Sequence, residues 1–160
     1  MKRIFLFVSI AALSLVATGS LSAQENHQIG TWKLNTAKSK FVNTAAPKNE
    51  TRTVEAKGAG AKYSFDGEAA DGSPITYTFT TNYDEKDAAI SGAGFPNGAD
   101  TIAVKRVSAD SSTSTAKKAG KVVQTTTTVV SADGKVTTLT AKGTNAQGQA
   151  TSSTTVWEKQ

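Results

Sequence analysis

One histidine, His27, and two groups of carboxylates, Asp66, Glu68 and Asp71 and then Asp84, Glu85 and Asp87, are the residues from which acid–base or metal chemistry would have to be assembled. A catalytic or metal-bound imidazole needs partners fixed around it. His27 lies in a polar stretch ahead of the first strand pattern, where a chain end is expected to be poorly ordered. Both acidic groups fall in stretches that read as hairpin turns, where carboxylates bond to local backbone and stay solvated, and neither has the spacing of a calcium loop. There is no cysteine. Nucleophilic triads and transition-metal sites therefore have little to build on. The sequence points to no catalytic residue, no metal and no cofactor, and so away from an enzyme.

Stepping outward from these residues, the elements that must hold them are strands. Threonine occurs 24 times, and Gly, Asn, Asp and Ser punctuate the chain in short clusters. β-Branched side chains between such clusters favour pleated, half-buried surfaces. Ten strand patterns follow one another, at residues 29–35, 50–57, 61–66, 74–83, 88–91, 100–108, 111–118, 121–131, 135–142 and 149–159. The links between them, such as "KGAGA", "DEKD", "AG", "ADG" and "GTNAQG", are hairpin chemistry. Links this short pair sequential strands antiparallel. A meander of this size hides its edges best by closing, so the expected fold is all-β, an antiparallel up-and-down barrel of about 8–10 strands. A single helical turn is expected in "NTAKSKF", after the first strand.

Alternation says which side chains face inward. In "PITYTFTT", Ile75, Tyr77 and Phe79 share one face and Thr76, Thr78 and Thr80 the other, and Tyr63 and Phe65 alternate likewise with Lys62, Ser64 and Asp66. Those five apolar residues form one expected wall. "VVQTTTTVV" and "ATSSTTV" carry hydroxyls on both faces, so the other wall is polar whichever face points in. The interior then reads as a wet cavity with unlike walls. "SGAGFPNGAD", the longest glycine-rich link, leaves Phe95 either to cover the barrel mouth or to fold onto its rim.

The chain opens with Lys2 and Arg3, an apolar run at residues 4–17, and then Ser20, Ser22 and Ala23, the pattern of a secretory signal. Residues 1–23 are expected to be removed, leaving residues 24–160 as one barrel domain located in the periplasm or secreted. The apolar run is shorter than the roughly 20 residues that cross a bilayer as a helix, so no integral membrane segment is expected after signal removal. The formal charge of +5 falls to near +3 without Lys2 and Arg3. No dense basic stripe interleaved with aromatics is present, which argues against a nucleic-acid partner.

"IGTWKLNTAKSKF" has a glycine and a tryptophan separated by one residue, Gly30 and Trp32, at the start of the first strand. In that position the motif resembles the calycin superfamily, the lipocalins and fatty-acid-binding proteins, in which an indole plugs the narrow end of the barrel. Residues 30–40, 142–148 and 157–159 carry a closer resemblance to short exported bacterial proteins of lipocalin-like type whose function is unassigned. The lipocalin arginine that stacks on this tryptophan from the last strand is missing, because the chain ends "VWEKQ". Lys159 or Arg106 is expected to substitute, or Trp157 to pack on Trp32. If Ile102 and Val104 point inward, the same parity turns Arg106 inward, where a guanidinium needs an anionic partner. Glu158 and, by the resemblance, a ligand carboxylate are the candidates, unless the strand has already ended. "TNYD" at residues 81–84 is read as a hairpin turn.

The resulting expectation is a monomeric exported barrel that binds a small hydrophobic ligand against Tyr63, Phe65, Ile75, Tyr77 and Phe79, with Arg106 or threonine hydroxyls orienting its polar end. Gly30, Trp32 and Trp157 serve the framework. The alternative is a filled barrel that works from its outer face as an envelope or protein-interaction module. An interior volume below about 300 Å³ would leave a carrier without a site.

Overall fold

The computed structural model describes residues 25–160, so the expected signal segment lies outside the described residues. Twelve strands follow in order: β1 Gly30–Leu34, β2 Lys40–Val42, β3 Asn49–Lys57, β4 Gly60–Glu68, β5 Pro74–Thr81, β6 Asp84–Ala89, β7 Ser91–Ala93, β8 Thr101–Arg106, β9 Ser111–Lys118, β10 Lys121–Val130, β11 Val136–Thr144 and β12 Ala150–Lys159. All pairings are antiparallel, and they run β6-β8-β9-β10-β11-β12-β1-β3-β4-β5-β7, with β2 beside β12. The first strand meets the last, Leu34 opposite Trp157 and Trp32 opposite Lys159. The sheet is a nearly closed barrel.

The count exceeds the expected 8–10 for two local reasons. "KFV" makes a short β2 after the 3-10 turn Thr36–Lys38, which Asn35 caps by accepting the Lys38 N–H at 3.1 Å. The single strand expected at 88–91 is two, β6 and β7, divided at Ile90, and "DEKD", expected as a turn, is the start of β6, so that the β5–β6 connection is only Asn82 and Tyr83. Asp84, Glu85 and Asp87 therefore lie on a strand, not on the hairpin turn the sequence pattern suggested. Their partners are the lysines of the neighbouring surface: Lys117 Nζ sits 2.8 Å from Asp87 and Lys105 Nζ 3.1 Å from Glu85.

Tight links follow from residues able to take positive φ. Ala119 and Gly120, at φ 48° and 78°, join β9 to β10 in a two-residue turn. Asn145 holds the longer β11–β12 link by accepting the backbone N–H groups of Gln147 and Gln149 at 3.1 and 2.9 Å.

The seam of the barrel lies after β5. The chain from β6 to β7 changes partners at Ile90: β6 pairs with β8, and β7 turns back onto β5, with Gly92 opposite Tyr77. Ile90 itself donates its N–H to the Asp100 carbonyl at 2.9 Å. One continuous segment thus spans the two sheet edges that would otherwise be left open.

Pairing registers align the inward side chains in rows. Arg52, Phe65 and Tyr77 are consecutive cross-strand neighbours on β3, β4 and β5, and Val54, Tyr63 and Phe79 make the row beside them. On the other side of the barrel, Ser112 and Thr128 are opposed, as are Ser114 and Thr126. Trp32 is fully buried, and its indole N–H donates to the Gln28 carbonyl at 2.9 Å. Among the described residues no helix is long and apolar enough to cross a membrane.

Candidate functional site

The interior encloses a cavity of about 420 Å³. Its apolar wall is the one read from alternation: Tyr63, Phe65, Ile75, Tyr77 and Phe79 all line it. Their rings pack as a sheet of their own. Phe65 stacks on Tyr77 with centroids 4.4 Å apart, Tyr63 on Phe79 at 4.8 Å, and Trp157 meets Phe65 edge-on at 6.2 Å. Such pairs add roughly 0.5–1.5 kcal/mol each beyond the area they bury. Phe95, the loop aromatic, sets its ring at 65° to Tyr77 with a centroid distance of 4.9 Å and adds to the lining.

Facing these rings, β9 to β12 contribute Ser112, Ser114, Thr126, Thr128, Ser153 and Thr155 to the lining. Alternation is responsible, since residues two apart on a strand share a face. Ser112 accepts from the Gln28 amide at 3.0 Å and Thr126 from the Gln124 amide at 3.2 Å, while Thr155 accepts the Trp157 indole N–H at 2.9 Å.

The cation in the lining is Arg52. It is 1% exposed, lines the cavity, and places its guanidinium 5.5 Å from the ring centroids of both Trp32 and Trp157. Lys159 also lies over Trp32, 5.2 Å from its centroid, as the missing C-terminal arginine had suggested. Cation–π contact stabilises the buried charge, yet Nε and Nη2 of Arg52 have no hydrogen-bond partner. Burial lowers its pKa to about 10, opposed by nearby Tyr63, Tyr77 and Glu50, so it stays a cation at neutral pH.

Glu50, two residues earlier on the same face of β3, also lines the cavity. Burial raises its carboxyl to about 7, against the pull of Arg52 and of the Tyr77 hydroxyl. Neither residue emerged from the sequence as a site candidate. The signal was available in "ETRTVEAK", where the parity that buries Val54 also turns Arg52 and Glu50 inward.

Arg106 has the inward parity the sequence implied, opposite Ser112, but it is not part of the cavity lining. Its guanidinium stands 4.0 Å over the ring of Tyr83, next to the floor. That floor is polar and fully engaged. Gln28, 1% exposed, accepts from the Tyr63 hydroxyl at 3.2 Å; Tyr63 and Tyr83 share a hydrogen bond of 2.9 Å; Asn26 donates to Tyr83 at 2.8 Å. His27, expected in a loose tail, is instead fixed between Asp110 at 2.5 Å and Glu25 at 3.0 Å. The stretch before β1 is ordered because Gln28 plugs the barrel end and the His27 backbone N–H bonds to the Ala109 carbonyl at 3.0 Å.

Gly30 has φ 133°, and a Cβ there would come within 2.9 Å of Lys159 Cε, so the glycine makes room for the lysine that covers Trp32. Trp32 belongs wholly to the core, whereas Trp157 serves both core and cavity. Among the described residues no group of three His, Asp or Glu stands close enough to hold a metal ion.

A solved structure shares this fold: zebrafish ileal bile acid-binding protein, crystallised in complex with cholic acid. The two superpose with a TM-score of 0.50 over 84% of this chain and 100% of that one, at 12% sequence identity. The fold, a nearly closed antiparallel barrel, matches the calycin type. No family model and no curated protein sequence matches the chain.

Proposed function

We propose that the protein is an exported carrier for a small amphiphile, with a hydrocarbon body against the aromatic wall and an anionic end at Arg52. The observation that carries this reading is a cavity of about 420 Å³ holding a buried guanidinium with two N–H-bearing nitrogens unpartnered. The volume lies within the range of small-molecule sites and above the limit of about 300 Å³ below which a carrier has no room. A filled barrel acting from its outer face has no comparable support. The calycin likeness is compatible with carriage, and the zebrafish neighbour's complex with cholic acid makes ring-built carboxylates a sensible part of any screen. The basic, apolar and small-residue pattern at residues 1–23 supports delivery outside the cytoplasm.

A matched pair of probes tests the anchor. Dodecanoate is expected to bind at least roughly tenfold tighter than dodecanol, since a charge-assisted hydrogen bond to a buried guanidinium contributes about 1.5–3 kcal/mol. Arg52→Met should abolish that preference while dodecanol binding persists. Titration calorimetry reads both, and equal affinities in the unsubstituted protein would remove Arg52 from the role. Failure of native mass spectrometry to retain any apolar or amphiphilic metabolite would sink the carrier reading as a whole.

A further inference from the structure

The link between β7 and β8 joins two strands that are not neighbours in the sheet, β5 and β10. Phe95 packs on Tyr77 of β5, and Asn97 donates its side-chain amide to the Val123 carbonyl at 3.3 Å and to Gln124 Oε1 at 3.1 Å, both on β10. The seat suits this side chain. A bulge drops Val123 from the pairing of β10 with β9, and a Cβ on Gly143 of β11 would come within 2.7 Å of Asn97 Nδ2. Two oxygens facing one nitrogen require that nitrogen to be a donor.

The turn that presents this latch also makes it chemically vulnerable. It runs through two consecutive positive φ angles, 57° at Asn97 and 64° at Gly98, a conformation that asparagine and glycine tolerate. Of the chain's seven asparagines, Asn97 alone precedes a glycine. With no side chain on Gly98 in the way, the Gly98 backbone nitrogen can attack Asn97 Cγ once its proton is lost. The Cγ–Nδ2 bond breaks, the nitrogen leaves as ammonia, and a succinimide ring remains. Water then opens either ring carbonyl, giving aspartate or isoaspartate. No reactant but water is consumed, and Gly98 is exposed to it.

In the latched loop both reacting groups are held, because the Gly98 N–H donates to the Phe95 carbonyl at 3.1 Å while the carboxamide is turned to β10. Conversion therefore requires the link to open. Its product cannot fasten again. A carboxylate presents acceptors to the two acceptors on Val123 and Gln124, while Lys118 Nζ, 3.1 Å from where a Gly98 Cβ would stand, offers it a cation beside the turn. We infer that Asn97–Gly98 is a self-modifying site, whose deamidation unfastens the β7–β8 link from β10 irreversibly and without an enzyme. The inference stands apart from any cargo in the lumen.

Peptide mapping by mass spectrometry can follow the protein through incubation at mildly alkaline pH, folded and in urea. Asn97 is expected to gain one mass unit before any other asparagine, and roughly tenfold or more slowly in the folded protein, since the latch must open first. Asp66, Asp71 and Asp133 also precede glycine, but rearrangement there leaves the mass unchanged. Hydrogen exchange then reads the unfastening in the converted protein and in Asn97→Asp. The amides of Gly98 and its neighbours should exchange roughly tenfold faster, while β11 and β12 keep their protection and show the barrel intact. If another asparagine converts first, or Asn97 converts as fast folded as in urea, the latched site is overturned. Conversion at Asn97 that leaves exchange of the link unchanged overturns the unfastening.

Discussion

Glu50 and Arg52 occupy alternate positions of one strand and face the same lumen, so the Arg52 guanidinium pulls the Glu50 carboxyl pKa down. Burial outweighs that pull and holds the carboxyl protonated into the neutral range, at about 7, against an ordinary 4.5. A folded-state pKa above the unfolded one means the native protein binds the extra proton. Its contribution to stability is therefore greatest below pH 4.5, declines as pH rises, and is lost once pH passes about 7. The difference is up to about 3 kcal/mol, reduced by whatever solvent reaches the carboxyl. Denaturant titrations at pH 5 and pH 8 on the protein and on Glu50→Gln isolate the effect from every other titrating group. The unsubstituted protein should lose stability relative to Glu50→Gln between the two pH values, and parallel behaviour would show that Glu50 ionises as in water. The same pair illustrates what the sequence reading lacked. Ile102 and Val104 together fix the parity of Arg106, while in "ETRTVEAK" Val54 is the lone bulky apolar residue marking the inward face that Arg52 shares.

Element by element, alternation was legible wherever bulky apolar residues made the pattern unambiguous. "PITYTFTT" yielded the aromatic wall because ring and threonine cannot exchange faces without exposing three large side chains. Threonine-rich β10 and β12 had no such contrast, so their hydroxyl wall was foreseeable as polar but not residue by residue. Short elements escaped: β2 and the acidic β6 read as link and turn, because three residues or a run of charges carry no periodicity. The segment ahead of β1 escaped for another reason, since its order depends on partners 83 and 84 residues away, Asp110 for His27 and Ser112 for Gln28. Hydrogen bonds to Asp110 and then to Glu25 hold the His27 imidazole above its usual 6.5. A histidine raised in this way contributes stability that is complete below pH 6.5 and disappears as pH climbs through its folded value. The barrel-end plug should accordingly loosen in that window. A histidine-resolved NMR titration is expected to place His27 above 6.5, with Asp110→Asn bringing it down and speeding amide exchange at Gln28. A titration midpoint indifferent to Asp110→Asn would mean the clasp does not persist in solution.

Taken whole, the molecule depends on closure, and closure depends on one segment serving two edges. β6 gives its hydrogen bonds to β8, and after the single residue Ile90 β7 gives its own to β5. Such a crossing requires the backbone of β7 to approach β5 more nearly than a side chain permits. Gly92 meets that requirement with φ 102°, and a Cβ built on it would lie 1.9 Å from the Thr76 carbonyl oxygen. Gly92→Ala should therefore cost at least about 2 kcal/mol, combining strain at positive φ with a backbone clash that no rotamer relieves. The effect should also be local. Amides of β7 and of Thr76 and Thr78 are expected to exchange faster, while β10 and β11, paired on both sides, keep their protection. Because the opened seam adjoins Tyr77, a bound amphiphile should leave faster, with dissociation rising more than association. Hydrogen exchange and stopped-flow release read the two consequences separately. Faster exchange with an unchanged release rate would show that the ligand departs past Phe95 at the mouth; unchanged exchange would show that β7 is not what holds the barrel shut.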